Sequence, residues 1–139
     1  MAGTVFLADT SVYVLQARYP PVRRRFSELL AEGRIAACQM TALEYLSNAA
    51  HPAGYEIQWS ALTAQRWIDV TSAAMDRPLE VHRELARRSQ HRHFRLPDLI
   101  IAATAEQAGL TVLHYDTDYD RIAAVTCQPT EWIAERGSL

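Results

Sequence analysis

Short apolar runs alternate along this chain with longer segments in which apolar residues recur every three or four positions. The runs at 4–8, 35–38 and 111–115 predict buried β-strands, and two shorter strands are predicted near Val70 and at 125–127. The intervening segments predict α-helices at 11–17, 20–32, 41–50, 54–68, 72–89, 97–107 and 118–124. Such alternation is typical of an α/β fold, in which helices cover both faces of a central parallel sheet.

Proline and glycine mark several of the predicted helix boundaries. Pro20 and Pro97 suit the first turn of a helix, where a backbone N–H would have no partner within the helix. Gly33 and Gly109 follow the last apolar positions of their segments, where glycine commonly ends a helix. The stretch Gln90–Leu96 is polar and basic, and it predicts a loop that leads directly into the helix that Pro97 begins.

Acidic residues stand where predicted strands or loops lead into helices. Asp9 and Asp116 directly follow apolar strands, Glu44 follows the strand at 35–38, and Asp98 opens an apolar helix. Because the carboxyl ends of parallel strands lie along one edge of a sheet, these side chains are expected to meet there. Crowded carboxylates need a cation to offset their repulsion. Hard divalent cations, Mg²⁺ especially, prefer oxygen ligands of this kind.

Each acidic residue also has an explanation that involves helix capping alone. Asp9 could cap the following helix, and the spacing Thr41-x-x-Glu44 fits a capping box. Asp98 could complement the helix dipole, and Asp116 or Asp118 could form an Asx-turn. Capping does not require acidic residues at four successive connections, however, so the joint pattern favours a shared metal site.

The composition narrows the classes of function. All fourteen basic residues are arginine, and the absence of lysine excludes a Walker A loop, a Schiff-base enzyme and a receiver domain. The net charge of -2 argues against a protein that coats nucleic acid non-specifically. Cys38 and Cys127 lie in predicted strands without zinc spacing, and they are expected to be buried in a reducing compartment.

The chain is also expected to act in the cytoplasm. With 139 residues, 49% of them hydrophobic, it has the size and composition of one soluble globular domain. No apolar run approaches the roughly 20 residues of a membrane span, and the N-terminus lacks the pattern of an export signal.

Four segments together carry a resemblance to a known family. They are Leu7–Val12, the Thr-x-x-Glu at 41–44, Leu96–Ala103 and Val112–Ile122. In this order they resemble a PIN-domain ribonuclease, specifically a VapC-type toxin of a bacterial toxin–antitoxin pair. The resemblance implies a three-layer α/β/α PIN domain over 1–139 with a central parallel sheet. It further implies an endoribonuclease that uses Mg²⁺ or Mn²⁺, cuts tRNA or ribosomal RNA loops, forms a homodimer and is silenced by a small antitoxin.

Two other functions share this fold and are left open by the sequence. One is a PIN nuclease that processes DNA or structured RNA, and the other is a non-catalytic module that binds nucleic acid. The complete acidic set argues against the second.

The acidic residues are expected to have separate roles in the implied site. Asp9 and Asp98 are expected to bind the metal most directly, and Glu44 and Asp116 to complete the acidic pocket, partly through water. Asp118 is expected to assist or to support a second ion. A metal ion in such a pocket activates water and offsets charge in the transition state.

Residues next to the acidic ones are candidates for supporting roles. Thr10 and Ser11 could orient Asp9 as hydrogen-bond donors or could simply cap a helix. Tyr119 stands where the family more often has phenylalanine, and the difference is expected to matter little, since both fill an aromatic core position.

Arginine-rich segments are candidates for binding RNA. Arg92 and Arg95 lie in the loop before Asp98, and Phe94 between them could stack on a base. The triplet Arg23–Arg25 is more simply a solvated face. Several other aromatic and imidazole side chains are interpreted as structural; they are Trp59, Trp67 and Trp132, in the core or an interface, and His51, His82 and His114.

Overall fold

A computed structural model of the chain describes residues 3–139 and contains one five-stranded sheet in which all neighbouring strands are parallel. The strands are β1 (Phe6–Ala8), β2 (Ile35–Ala37), β3 (Arg66–Trp67), β4 (Thr111–His114) and β5 (Thr130–Trp132). Their order across the sheet is β3-β2-β1-β4-β5. The predicted α/β class with a central parallel sheet is confirmed.

In the described part of the chain, seven α-helices connect or follow these strands. They are α1 (Thr10–Arg18), α2 (Pro20–Ala31), α3 (Gln39–Leu46), α4 (Pro52–Thr63), α5 (Ser72–Arg87), α6 (Leu96–Ala108) and α7 (Thr117–Thr126). The predicted loop between α5 and α6 contains a single 3₁₀ turn at His91–His93. Across residues 3–139, no helix has both the length and the apolar character needed to cross a membrane.

The three central strands, β2, β1 and β4, are buried on both faces of the sheet, so they read as nearly continuous apolar runs. Alternate residues point to opposite faces. Phe6 and Ala8 of β1 belong to a core with α1 and α2, whereas Leu7 belongs to a second core with α5, α6 and α7. The two cores give the three layers of helix, sheet and helix.

Two of the short predicted strands are wrong in position. Val70 lies beyond β3, which is an exposed two-residue edge strand without the alternation that predicts strands. The segment 125–127 is instead the end of α7, because Val125 packs against the second core on a helix face. Cys127 then ends the helix with a φ of 61°, and the last strand begins at Thr130.

Burial corrects one further expectation, for Cys127, and narrows another, for the tryptophans. Cys38 is fully buried as predicted, but Cys127 is exposed at the end of α7. Trp59 and Trp67 keep 50% and 41% of their surfaces exposed, so neither is a core residue. Trp132 is half-buried against the ring of His114.

Candidate metal centre

The register of the sheet sets the acidic residues side by side. Ala8 of β1 pairs with Leu113 of β4, and the backbone N–H of Asp9 donates to the Leu113 carbonyl at 2.8 Å. The chain therefore leaves both central strands at the same edge of the sheet, where α1 and α7 begin. Asp9 and Asp116 are the residues at these two exits.

Asp9 caps α1 and lies in the pocket at the same time. Its Oδ2 accepts hydrogen bonds from the Ser11 backbone N–H at 3.1 Å and from the Ser11 hydroxyl at 2.7 Å. Ser11 Oγ also accepts from the Tyr115 backbone N–H, which ties it to the end of β4. Ser11 thus orients the Asp9 carboxylate, and capping does not compete with a place in the acidic pocket.

Glu44 takes no part in a capping box. The hydroxyl of Thr41 accepts from the Cys38 backbone N–H at 3.1 Å, so the box closes on Cys38 and leaves Glu44 one turn further along α3. Glu44 Oε1 accepts from the Thr10 hydroxyl at 3.0 Å, and Oε2 forms an ion pair with Arg95. Thr10 therefore orients Glu44; its predicted contact with Asp9 is replaced by this bond.

Asp98, in the first turn of α6, places a carboxylate oxygen within 4.8 Å of those of Asp9 and Glu44. Its side chain is fully buried, and within residues 3–139 no donor reaches Oδ2. Burial first, and then repulsion by Asp9, raise the pKa of Asp98 to about 8, and attraction by Arg95 opposes the rise. A buried carboxylate oxygen without a donor, among other carboxylates, is chemically suited to be a ligand of a cation.

Asp116 lines the pocket, and Asp118 follows it in the first turn of α7. Asp116 Oδ1 accepts from the Asp118 backbone N–H at 2.9 Å, so the predicted Asx-turn caps α7. Burial raises the pKa of Asp116. Asp118 is nearly buried and forms an ion pair with Arg121 one turn later in α7.

The acidic residues form two overlapping groups. In one, Asp9, Glu44 and Asp98 each place a carboxylate oxygen within 4.8 Å of the others; in the second, Asp98, Asp116 and Asp118 do the same. Asp98 belongs to both. Carboxylate oxygens are the ligands of Mg²⁺ and Mn²⁺, and these donors match hard cations better than Zn²⁺, which favours nitrogen and sulfur. The residues present therefore fit a divalent metal ion.

The candidates for RNA binding lie in different surroundings. Arg95 lines the pocket, Arg92 is exposed, and Phe94 is buried in the second core with the Arg121 guanidinium 4.6 Å from its ring centre. Phe94 cannot stack on a base from this position. Arg25 donates to the carbonyls of Trp132 and Ile133, so this member of the triplet holds the segment at β5 in place.

Three further residues contact the acidic residues of the site, and the predictions from sequence did not include these contacts. The Tyr119 hydroxyl donates to Asp9 Oδ1 at 2.6 Å, which a phenylalanine could not do. Arg121 pairs with Asp118, and their spacing of three residues in a helix was the available signal. His114 Nδ1 accepts from the Asp116 backbone N–H at 3.1 Å; burial lowers the pKa of this histidine to about 4 and keeps it neutral.

Comparison with known proteins identifies the family. The model of the PIN domain family matches residues 6–125, which contain every acidic residue of the pocket. The chain belongs to the PIN domain family. Two similar relatives from Mycobacterium tuberculosis are ribonuclease VapC18, 42% identical over 97% of this chain and 99% of its own length, and ribonuclease VapC51, 43% identical over 96% of both chains.

The fold of this PIN domain also has solved relatives. The crystal structure of DNA-bound VapBC from Salmonella typhimurium aligns with a TM-score of 0.72 over 95% of this chain and 100% of the matched chain. The identity between the two is 19%, so this likeness supports a shared fold. The predicted family resemblance is confirmed.

Proposed function

We propose that this PIN domain is the toxin of a toxin–antitoxin pair and cleaves RNA in a reaction that depends on a divalent metal ion. One observation carries the proposal: a chain 42% identical to a named VapC ribonuclease gathers its acidic residues into one pocket at the sheet edge. A non-catalytic module would have no need of this crowding, because clustered carboxylates repel both one another and the phosphates of a nucleic acid.

The carboxylates of the pocket hold the metal in this proposal. Asp9, Asp98 and Asp116 are the direct ligands, Glu44 completes the pocket, and Asp118 supports the outer side. When bound, Mg²⁺ or Mn²⁺ supplies positive charge opposite the phosphate and makes water a better nucleophile. The buried position of Asp98 keeps bulk water from the inner wall of the pocket, which strengthens the electrostatic interactions there.

Arginines of the loop before α6 bind the RNA backbone in this proposal. Arg95 stands at the pocket wall beside Glu44, within reach of a phosphate that approaches the carboxylates. Arg92 lies exposed three residues earlier and extends the same basic edge. Arginine suits this role because its planar guanidinium can make two hydrogen bonds to one phosphate. The cut RNA is a tRNA or a ribosomal RNA loop.

Partners and domain organisation follow from the same proposal. One solved relative is a VapBC assembly, which supports a small antitoxin as the partner of this chain. In this proposal the toxin itself forms a homodimer. Residues 1–139 form one PIN domain, since β5 lies beyond the family match and still pairs with β4. Its RNA substrate places its activity in the cytoplasm.

The Asp98→Asn variant tests the proposal. Asparagine resembles the protonated carboxyl that burial favours in the metal-free protein, so the fold should be retained while a negative ligand is lost. We expect the unmodified protein to cut bulk tRNA or ribosomal RNA in Mg²⁺ and Asp98→Asn to lose at least about a hundredfold in rate. Asp76→Asn, the same change at an exposed position of α5, is the matched control and should cut normally.

Thermal unfolding supplies a second reading that does not depend on the choice of RNA. Mg²⁺ should raise the melting temperature of the unmodified protein, because a ligand of the folded state stabilises it. The Asp9→Asn, Asp98→Asn double variant should show little shift. Equal shifts in the two proteins would mean that the ion binds elsewhere. Cleavage by a folded Asp98→Asn variant would exclude Asp98 as a metal ligand. Cleavage of DNA alone would favour a DNA-directed PIN nuclease.

A further inference from the structure

A single buried hydroxyl connects two carboxylates of the pocket from below. Tyr119, in the first turn of α7, is completely buried in the second core. Its hydroxyl lies 2.6 Å from Asp9 Oδ1 and 3.4 Å from Asp98 Oδ1. These partners are 110 and 21 positions away in the sequence, so the contact is created by the fold alone.

The hydrogen bonds to Asp9 leave its carboxylate little freedom. Ser11 donates twice to Oδ2, and Tyr119 donates to Oδ1, so donors engage both oxygens from different sides. Rotation of the carboxylate would break at least one of these bonds. The Tyr119 ring cannot follow such a rotation, because it is packed against His114 with ring centres 4.9 Å apart and enclosed by the core.

We propose that Tyr119 is a positioning residue that holds the carboxylates of Asp9 and Asp98 at the orientation and separation a divalent cation requires. The proposal rests on the proposed function, since it deepens the same site. Hydrogen bonds that orient metal ligands typically change metal affinity or activity 10- to 100-fold when they are removed. Tyr119 acts through Asp9 and Asp98 and touches neither substrate nor reacting atoms in this role.

A purely structural role is the alternative that the test must exclude. A buried tyrosine hydroxyl needs an acceptor wherever it lies, and loss of one such bond lowers folding stability. Such a role predicts a loss of stability without a change in metal affinity. The two roles therefore separate when both quantities are measured on the same variant.

Tyr119→Phe keeps the ring and removes only the hydroxyl, and Tyr13→Phe is its matched control. Tyr13 is also buried, and its hydroxyl donates to Gln65 Oε1 at 2.8 Å in the first core, on the other face of the sheet. Calorimetric titration with Mg²⁺ should show affinity reduced about tenfold or more in Tyr119→Phe and unchanged in Tyr13→Phe. High Mg²⁺ should restore much of the cleavage rate of Tyr119→Phe.

Ser11→Ala tests the same carboxylate from its other oxygen and leaves the core untouched, so the orientation of Asp9 can be tested even if Tyr119→Phe folds poorly. If both residues act through Asp9, the Tyr119→Phe, Ser11→Ala double variant should lose less Mg²⁺ affinity than the product of the single losses. If the two single losses of Mg²⁺ affinity multiply in the double variant, the residues act independently, which would contradict action through a shared carboxylate.

The possible failures are distinguishable. Equal Mg²⁺ affinity of Tyr119→Phe and the unmodified protein overturns the positioning role and leaves the proposed function intact. If the unmodified protein itself binds no Mg²⁺, or binds it no better than Asp98→Asn, the proposed function fails, and the role of Tyr119 fails with it. An equal loss in Tyr13→Phe would show a general effect of removing buried hydroxyls and would also overturn the inference.

Discussion

Arg95 and Glu44 are 51 positions apart in the sequence and form an ion pair at the edge of the acidic pocket. The Arg95 side chain keeps 60% of its surface exposed, whereas that of Glu44 keeps only 11%. The guanidinium thus closes the outer side of the pocket while most of it faces solvent. It offsets the negative charge of the carboxylates, and in the proposed function it lies where a phosphate enters.

Replacement of Arg95 by alanine should change two affinities in opposite directions. Mg²⁺ should bind several-fold more tightly, because the Arg95 guanidinium no longer competes for Glu44. An exposed ion pair contributes up to about 1 kcal/mol, which corresponds to a change in affinity of this size. RNA should bind more weakly and with a salt dependence shallower by about one phosphate contact. Calorimetry with Mg²⁺ and RNA titrations across a salt series, in Ca²⁺ to hold back cleavage, measure the two effects.

Arg92→Ala is the matched control for this prediction. Arg92 belongs to the same loop and is exposed, but it does not line the acidic pocket. Its removal should therefore weaken RNA binding without a change in Mg²⁺ affinity. If neither variant changes the affinity for RNA or its salt dependence, the loop is a solvated connector.

The position of the acidic pocket could be predicted because it depends on local patterns. Apolar runs mark the strands, and an acidic residue directly after a strand must lie at the carboxyl edge of a parallel sheet. Asp9 and Asp116 illustrate this rule, since each follows its strand and caps the next helix. The helix-capping explanation and the metal site proved compatible for both residues.

Contacts between distant segments could not be predicted in the same way. Nothing near Thr10 in the sequence indicates that its hydroxyl reaches Glu44, 34 positions away, and the local spacing of Thr41 suggested a different partner for that carboxylate. The contact of the Tyr119 hydroxyl with Asp9 could not be predicted for the same reason. A phenylalanine would fill its core position equally well, and only the fold shows what the extra oxygen touches.

Replacement of Arg121 by methionine should loosen the loop that carries Arg95. The Arg121 guanidinium pairs with Asp118, lies over the ring of Phe94 and reaches the His93 carbonyl. Methionine keeps an apolar contact with the ring but loses the charge. Hydrogen exchange should rise in 91–95, while global stability changes by no more than about 1 kcal/mol, because the ion pair is partly exposed.

Arg77→Met provides the comparison for Arg121→Met. Arg77 also pairs with an acidic residue three positions away, Glu80, and with Glu106, but it packs α5 against α6 far from the loop. Its replacement should leave exchange in 91–95 unchanged. An equal increase in both variants would indicate general loosening of the protein, and no increase in Arg121→Met would exclude it as the anchor of the loop.

Two buried groups give the metal-free protein opposing dependences on pH. Asp98 has a pKa raised to about 8, so between its unfolded value near 3.8 and pH 8 the folded state holds a proton that the unfolded state lacks. Its contribution to stability is present at low pH and is lost as the pH rises through 8. His114, lowered to about 4 from 6.5, has the opposite effect and loses its contribution as the pH falls below 6.5.

The two effects oppose one another between about pH 4 and 6.5, so the loss due to Asp98 should be visible above that range. Between pH 6.5 and 8, the free energy of unfolding in a chelator should fall by up to about 2 kcal/mol. Urea denaturation at a series of pH values measures this fall. Asp98→Asn carries no titrating group at position 98 and should not show this fall, whereas Asp76→Asn should still show it.

Saturating Mg²⁺ should also remove the fall, because a cation in the pocket favours the ionised carboxylate in the folded state. A fall of the same size in Asp98→Asn would assign the titration to another group, and a fall that persists in Mg²⁺ would mean that the ion does not contact Asp98.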